Sequence, residues 1–409
     1  MISEQNIARR MGLMSRMGLI GLMGLMGLMG LGLMGCSSSS DDVVATPAPQ
    51  PAAAVRLMSY VTGYEEPDRA NMVSRRAWEV PSGYSRYEDD KSISVFFTQD
   101  GVPAEADKSP MEEFFFYTSG SWRVSKKDLE AETYYLYGYM PYDKSFNASI
   151  SSTTTPNDNS AYSDGAVLTL ENLPTITPYD FCVMIGAKDG TSADDDNGLA
   201  RGSFAYAAQP TEGDDKGDNY VYLLFDHLYA ALRVRMKVHG EYNALRTIKL
   251  KELKLKTSVD ETPTKKKTNV AITLEKKADG GNPVKSVVFT TPVGETAEAV
   301  GTMFENTGGM TLTTSYSEYI NHFMPKDVTT FILESTYDVY DKNVSEGHPE
   351  GNLVRQNCKA TNTIKLSDLI SGQTETRRGA RYTINLTIQP TYLYVLSEPD
   401  LDDPTVVVE

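Results

Sequence analysis

Hydrophobic and polar positions alternate along most of the chain after residue 55. The run from Leu232 to His239 is the most regular, with an apolar side chain at every second position and Arg, Lys or His between them. A period of two places successive side chains on opposite faces of a strand, one buried and one solvated. The pattern therefore predicts short β-strands. The same period recurs in other runs: Ala166, Leu168 and Leu170; Phe181, Val183 and Ile185; and residues 270–274, 287–289, 331–333 and 382–388.

Two local signals refine this prediction. Ser119-Gly120 lies between the aromatic run 114–117 and residues 122–124, which is typical of a hairpin because Gly adopts positive φ without strain. Further on, Ile248 and Leu250 have even parity whereas Leu253 and Leu255 have odd parity. A strand cannot keep all four side chains on one face without an extra residue, so we predict a β-bulge near Glu252.

The division of the chain is predicted from a loop rich in Gly and Asp at residues 211–219. It separates two strand-rich blocks of comparable length, and few stretches keep a helical period for more than two turns. Short strands with frequent turn residues indicate an all-β protein of two tandem antiparallel β-sandwiches. The expected domains are residues 55–219 and 220–409.

The first 35 residues carry the marks of an export signal. Arg9, Arg10 and Arg16 precede an uncharged run from Met17 to Gly35, and Cys36 follows directly. A basic region, an apolar region and a small residue at the cleavage point are typical of a secretory signal. The Gly-Cys junction resembles the lipobox of bacterial lipoproteins, in which the thiol is acylated. A transmembrane helix is the alternative, but Gly at every third position lowers helix propensity.

Residues 36–54 are rich in Ser, Asp, Pro and Ala and are expected to form a flexible tether, because such a composition cannot bury a core. The whole chain has a formal net charge of −16, which argues against nucleic acid as a partner. Attachment to the outer membrane is therefore expected to come from the lipid on Cys36.

Candidate chemistry is sparse. With Cys36 acylated, Cys182 and Cys358 are expected to be free thiols, with a disulfide between them as the alternative. The four His residues are scattered, and the sequence contains no nucleotide-binding, zinc-protease or serine-hydrolase motif. We therefore predict no enzyme activity, no cofactor and no metal. The acidic loops 194–198 and 212–218 do not match a calcium-binding loop and are interpreted as solvated turns.

Aromatic residues open one functional alternative. The chain has 24 Tyr, 13 Phe and 2 Trp residues, which suits strand pairing and core filling. A row formed by Tyr135, Tyr137 and Tyr139, if exposed, would instead stack on sugar rings. Packing inside the protein is the preferred interpretation, and a surface glycan-binding lipoprotein is kept as the alternative function.

The order of several segments resembles the fimbrillin family, the lipoprotein precursors of Bacteroidales surface fimbriae. The resemblance runs over residues 36–409 and implies two transthyretin-like sandwiches and a pilin-like role in polymerisation and adhesion. No single motif is diagnostic, but the order of the motifs together with the lipobox carries the resemblance. These motifs are SRRA at 74–77, PSGY at 81–84, the strand 93–98, TYYLYGYMP at 133–141, LTLENLP at 168–174 and residues 225–238.

The resemblance also implies proteolytic activation by a trypsin-like protease. Arg76 matches the family position best, and Arg75 and Arg69 are the other candidates. Cleavage there would free the first strand, which we expect at the edge of the N-terminal sheet, and would open an apolar groove for a strand of another subunit. The residues of this displaced strand are Val55, Leu57, Ser59 and Val61.

The C-terminal tail is the expected donor strand. Its candidate residues are Val406, Val407 and Val408, with the run 392–396 before them. Four acidic residues between 398 and 403 interrupt this tail, and charges entering an apolar groove cost free energy. A stalk subunit is therefore one expectation, and a tip subunit or a lipid-retaining anchor stays open beside it.

Overall fold

The computed structural model describes most of the chain from residue 55 onward. The described residues are 55–66, 84–86, 92–98, 111–118, 121–124, 129–142, 145, 147–151, 165–190, 198–211, 219–277, 280–344, 347, 349, 351–393 and 398–408. The export signal, Cys36, the tether and the three candidate cleavage residues Arg69, Arg75 and Arg76 lie outside these ranges, as do the two acidic loops apart from Gly198.

Strands dominate both halves of the described chain. The strands before residue 228 are β1 (Arg56–Thr62), β2 (Tyr84–Arg86), β3 (Ser92–Thr98), β4 (Met111–Thr118), β5 (Ser121–Val124), β6 (Thr133–Met140), β7 (Asn147–Ser151), β8 (Gly165–Pro174), β9 (Ile176–Thr177), β10 (Cys182–Gly190), β11 (Ala205–Ala207) and β12 (Tyr220–His227).

The strands after residue 228 are generally longer. They are β13 (Ala230–Val238), β14 (Arg246–Val259), β15 (Thr262–Pro263), β16 (Lys267–Glu275), β17 (Val284–Thr290), β18 (Gly301–Leu312), β19 (Ser317–Phe323), β20 (Thr330–Asp341), β21 (Asn352–Lys365), β22 (Arg381–Leu393) and β23 (Glu398–Val408). Two short helices accompany them, α1 (Gly240–Leu245) and α2 (Leu366–Leu369). The all-β class predicted from the alternation is confirmed.

The described strands form four sheets. A nine-stranded sheet has the order β2-β1-β12-β10-β6-β3-β4-β5, with β11 on β6, and a four-stranded sheet has the order β17-β16-β8-β7. The tail sheet, β23-β22-β13-β19-β9, ends in the C-terminal strand. The β14 sheet has the order β15-β14-β20-β21, with β18 paired to β14.

The core is divided among three clusters of buried side chains. One packs between the nine-stranded and four-stranded sheets and includes Leu168, Val183 and Ile272. A second lies on the other face of the nine-stranded sheet and includes Val95 and Leu223. The third joins the tail sheet to the β14 sheet. Strands β10 and β12 are therefore buried on both faces, which explains their nearly continuous apolar sequences.

Both local predictions are confirmed. Strands β4 and β5 pair with Thr118 opposite Ser121, which leaves a two-residue connection at the predicted hairpin. In β14, Leu250 lies opposite Tyr337 and Glu252 opposite Thr336, so Lys251 is the extra residue of a bulge. The register of β14 against β18 also shifts between Leu250 and Glu252.

Strand pairing crosses the predicted division at residues 219 and 220. β12 follows it in sequence yet lies between β1 and β10 in the nine-stranded sheet. In the four-stranded sheet, β8 pairs with β16, with Leu168 opposite Ile272. The two sequence halves therefore complete each other's sheets, and the two-domain division stays a prediction.

Candidate functional site

The candidate site lies where β1 ends beside β12. These strands run parallel in register from Arg56 opposite Tyr220 to Val61 opposite Phe225. Every residue of β12 is buried, so its two polar C-terminal residues, Asp226 and His227, are buried as well. The chain leaving β1 passes directly over them. We call residues 62–66 the exit segment.

His227 connects the exit segment to the loop before β10. Its Nε2 lies 2.7 Å from the backbone oxygen of Thr62, and its Nδ1 lies 3.0 Å from the Asp180 Oδ1. A carbonyl and a carboxylate both accept hydrogen bonds, so both ring nitrogens donate and the ring is an imidazolium. Burial by itself lowers the pKa of His227, but the charge and hydrogen bond of Asp180, together with Asp226 and the Thr62 carbonyl, raise it above its ordinary value.

Asp226 connects the same segment to the loop before β22. The Thr62 hydroxyl donates to its Oδ1 at 2.6 Å, and Arg378 Nη2 lies 3.0 Å from its Oδ2. Arg378 also donates from Nη1 to the His227 backbone oxygen at 2.9 Å. Burial opposes ionisation, but Arg378, the Thr62 hydroxyl and His227 outweigh it and lower the pKa of Asp226 to about 2.

Tyr64 covers this polar group. Its ring stacks on His227 with centroids 3.7 Å apart and planes inclined by 18°. His322 of β19 lies on the same side, with its centroid 6.1 Å from that of Tyr64. Burial raises the pKa of the Tyr64 hydroxyl, and the nearby Asp180 carboxylate adds to this effect. The tyrosine therefore stays neutral and packs over the His227 ring, whose side chain is 3% exposed.

The last part of the exit segment is joined to the tail sheet. The backbone nitrogen of Glu65 donates to Gly379 at 2.8 Å, and the backbone nitrogen of Arg381 donates to Glu65 at 2.7 Å. The Glu66 carboxylate pairs with the Arg381 guanidinium and lies 3.5 Å from Arg233 Nη2. A segment of five residues thus holds β1 against both β12 and β22.

The site also brings together three potential metal-ligand or reactive atoms, one from each of Asp180, Cys182 and His227. The Cys182 Sγ lies 3.6 Å from His227 Nδ1, the nitrogen that already donates to Asp180, and Nε2 donates to Thr62. A metal ligand or general base needs a free lone pair, and an imidazolium has none. Burial also raises the pKa of the Cys182 thiol, so the thiolate is disfavoured. The arrangement therefore suits an ion-paired clasp rather than a metal or a nucleophile.

The predicted displaced strand is well ordered and buried. Leu57 and Val61 pack in the core cluster of the nine-stranded sheet that also contains Val95, and half-buried Val55 contacts it. The hydroxyl of Ser59 is buried without a hydrogen-bond partner. The expectation that the strand lies at the sheet edge is wrong at its C-terminal end. There β2 pairs outside it, from Tyr60 opposite Arg86 to Thr62 opposite Tyr84, because the chain turns back along β1.

The predicted donor tail is paired within its own chain. Val406, Val407 and Val408 belong to β23 and lie opposite Ile388, Thr387 and Leu386 of β22. Val406 is 5% exposed and Val408 is 37% exposed. Asn362 of β21 donates to the Val406 backbone oxygen at 2.8 Å, so the neighbouring sheet also contacts this strand.

Other sequence expectations are resolved residue by residue. Tyr137 and Tyr139 are each 1% exposed, so the tyrosine row is not an open platform for sugars. Cys182 and Cys358 are free thiols, and Cys182 is buried. Sequence reasoning missed Asp226-His227, although an acid-histidine pair ending a wholly apolar strand is a signal for buried charge. Within the described part of the chain, no helix is long and apolar enough to span a membrane.

Comparison with known proteins gives structural neighbours only. No family model matches the chain, and no curated protein matches it. A candidate cell adhesion protein of Bacteroides fragilis is 10% identical, with a TM-score of 0.39 over 87% of this chain and 97% of its own. A fimbrial protein of Bacteroides vulgatus is 12% identical, with a TM-score of 0.34 over 78% and 92%.

The fimbrial anchor protein Mfa2 of Porphyromonas gingivalis is also similar. It is 12% identical, with a TM-score of 0.24 over 86% of this chain and 95% of that protein. The structural neighbours named here are thus fimbrial and candidate cell adhesion proteins of Bacteroides and Porphyromonas species.

Proposed function

We propose that this chain is a structural subunit of a cell-surface fimbria that supports adhesion. In this proposal it is exported as a lipoprotein through Cys36 and reaches the outer membrane. A trypsin-like protease then cuts it after Arg76, Arg75 or Arg69, and it polymerises by strand addition. Two transthyretin-like sandwiches are proposed, divided in sequence near residues 219 and 220, with β12, β16 and β17 completing the sheets of the N-terminal one.

The observation that carries the proposal is the position of β1. It precedes the candidate cleavage residues and supplies side chains to two cores, with Leu57 and Val61 in one and Met58 in the other. Its parallel partner β12 is wholly buried. Loss of β1 would expose the backbone groups of β12 and two apolar surfaces at once, and a strand from another subunit would satisfy both.

The groove left by β1 would have defined walls. β12 would lie on one side, and β2 would lie on the other along Tyr60–Thr62, because β2 follows the candidate cleavage residues in sequence and stays behind. Filling a groove of this size with an apolar strand contributes on the order of 5–10 kcal/mol at about 25 cal/mol per Å². That is enough for a stable polymer.

Ser59 supports a replaceable strand. A buried hydroxyl without a partner costs about 1–3 kcal/mol, so β1 binds its groove less tightly than a fully apolar strand would. A donor strand with an apolar residue at this position would bind more tightly. Replacement of β1 by the donor strand would then lower the free energy.

The donor is proposed to be the C-terminal tail of another subunit. In this chain, residues 406–408 would have to leave β22 before they could serve as donor. A stalk subunit both accepts and donates, a tip subunit only accepts, and an anchor keeps its lipid and its own β1. A polymerisation assay separates the stalk, tip and anchor roles.

The test is controlled cleavage of the mature chain. Trace trypsin-like protease should cut near residue 76 and produce oligomer ladders on non-boiled gels, whereas the triple variant with Arg69, Arg75 and Arg76 changed to Gln should stay intact and monomeric. A chain that is cut there yet stays monomeric, alone and with fimbrial partner subunits, contradicts both stalk and tip roles.

The lipid step has its own test. Labelled palmitate should be incorporated into the expressed chain and should be lost in the Cys36→Ala variant. Cys182→Ala, which changes a buried thiol, is the matched control and should keep the label. Label that persists in Cys36→Ala contradicts lipoprotein export.

A further inference from the structure

The exit segment leaves with β1, because all candidate cleavage residues follow it in sequence. Thr62, Tyr64 and Glu66 would therefore separate from His227, Asp226 and Arg381 when β1 is released. The contacts of residues 62–66 are thus the contacts that must break before the groove opens. His227 is the one among them whose charge changes near neutral pH.

Loss of one proton from His227 has an unequal effect on its two hydrogen bonds. A neutral imidazole has a single N–H, and the charged Asp180 carboxylate is the stronger acceptor. The proton therefore stays on Nδ1, toward Asp180. Nε2 then presents a lone pair to the Thr62 carbonyl oxygen at 2.7 Å. Two facing lone pairs repel, so deprotonation weakens the bond to the exit segment and spares the bond to Asp180.

We propose that His227 is a pH-sensitive latch that holds β1 in its groove as an imidazolium and loosens it when the ring becomes neutral. The proposal rests on the proposed function, in which β1 is the strand that leaves. It adds a regulatory step between cleavage and strand exchange. Cleaved chains would keep the groove closed in mildly acidic surroundings and open it in neutral to alkaline surroundings.

The groups that face the latch come from every element around it. They are Asp180 before β10, Cys182 of β10, Asp226 of β12, Arg378 before β22, Tyr64 of the exit segment and His322 of β19. Arg201 also acts on Asp226. The Asp180 carboxylate lies 3.0 Å from Nδ1 and keeps the imidazolium charged, while the Tyr64 ring stacks on its face.

The sign of the pH effect follows from the hydrogen bond to Thr62, which the open state lacks, whereas Asp180 stays beside the His227 ring in both states. This bond needs the imidazolium, so the closed state holds the proton more tightly than the open state, and its stabilisation is lost as pH rises through the pKa of His227 in the closed state. Between the open-state and the closed-state pKa, release of β1 should increase by up to about tenfold per pH unit.

The experiment uses the full mature chain with a tag before residue 55, cut in the segment 69–76 by a trypsin-like protease. The cut protein is held between about pH 5.5 and about pH 8.5, the range in which His titrates. The fraction of the N-terminal fragment that separates is measured by size exclusion and mass spectrometry. We expect retention at the acidic end and release at the alkaline end in the wild-type chain.

Two variants and one control make the result specific. His227→Gln should show release that no longer depends on pH, and Asp180→Asn should move the release midpoint to lower pH because a neutral partner stabilises the imidazolium less. His239→Gln, a change at an exposed histidine outside the site, should keep the wild-type profile. If His227→Gln does not fold, Asp180→Asn alone decides the matter.

The inference is overturned if wild-type release is independent of pH or falls as pH rises, or if His227→Gln keeps the wild-type profile. An unshifted midpoint in Asp180→Asn overturns it as well. Polymer assembly is scored separately on the same samples. Release that depends on pH without any polymer contradicts the proposed function and leaves the latch standing, whereas polymers with pH-independent release contradict the latch alone.

Discussion

Two parallel strand pairs in the described part of the chain each join strands far apart in sequence, but their surroundings differ. β1 pairs with β12, and β13 pairs with β22. The second pairing covers eight positions, from Ala231 opposite Arg381 to Val238 opposite Ile388. In each pair the partner is a strand much later in the chain. On its other side β22 pairs with β23 at eight positions, of which 386–388 lie in the stretch that also pairs with β13, whereas β1 pairs there with the three-residue β2.

Under the proposed function, the difference separates a pair that stays in place from a pair whose first strand is exchanged. The C-terminal pair is flanked by the chain's own tail at residues 386–388 and by β19, and it has an apolar core in which Ile384 and Leu386 are fully buried. The N-terminal pair contains an unsatisfied Ser59 and ends in a polar clasp. Hydrophobic contacts do not titrate, whereas the proposed latch depends on pH and, under the proposed function, on an uncut chain.

The largest loss of stability is expected at Arg378, which lies before β22 and pairs with Asp226 of β12. Arg378→Ala removes the guanidinium from Asp226 and leaves a buried carboxylate without its cation. The free energy of unfolding should fall by about 3–5 kcal/mol, measured by chemical denaturation. Lys256→Ala, which breaks a more exposed pair with Glu334, should cost less than about 1 kcal/mol. Equal losses of unfolding free energy in the two variants would show that the buried ion pair contributes no more than the exposed one.

Truncation of the core tests the two pairs directly. Leu57→Ala in β1 and Ile384→Ala in β22 each remove a buried aliphatic side chain and should each cost about 2–5 kcal/mol. Only Leu57→Ala should also speed the separation of β1 after cleavage, because Ile384 lies in the other pair. If Ile384→Ala releases the N-terminal fragment equally fast, the two pairs are not independent.

Acid should weaken the clasp through Asp226. Its pKa is about 2 in the folded protein against an ordinary 3.8, so its contribution is present above the ordinary value and is lost as pH falls toward 2. The loss should be about 2 kcal/mol, measured by denaturation at a series of pH values. Asp226→Asn should flatten this part of the profile, and a steep remaining fall in that variant would assign the effect to other carboxylates.

The smallest expected effect is a gain in stability. Ser59→Ala removes an unsatisfied buried hydroxyl and should stabilise the chain by about 1 kcal/mol, with slower separation of β1 after cleavage. Ser335→Ala in β20 removes a comparable hydroxyl from the β14 sheet and is the matched control. It should give a similar gain in stability without any change in fragment release. Faster release in Ser59→Ala would contradict the role given to this residue.

Sequence patterns predicted local structure well. The parity of Ala166, Leu168 and Leu170 identified a strand whose three side chains are all fully buried, and the change in parity around Glu252 identified the bulge. Both features depend only on neighbouring residues. Alternation predicts which face of a strand is buried but not which distant strand pairs with it. The pairing of β8 with β16 could therefore not be predicted.

The candidate site was harder to predict for the same reason. His227 belongs to it only because β12 lies parallel to β1, which brings Thr62 to its ring across 165 residues of sequence. Scattered histidines suggested no metal site, and no local spacing joined Asp180, His227 and Arg378. The cleavage residues, the lipidated cysteine and the donor role of the tail stay predictions.

The four-stranded sheet has a consequence for biogenesis. The four-stranded sheet cannot be completed until β16 and β17 have been synthesised, because those strands supply Val270, Ile272 and Phe289 to the cluster shared with the nine-stranded sheet. The N-terminal half therefore stays partly open until the C-terminal half has been made. Expression of residues 55–227 alone should yield an insoluble product, and the two halves should reach the native state in a single cooperative event.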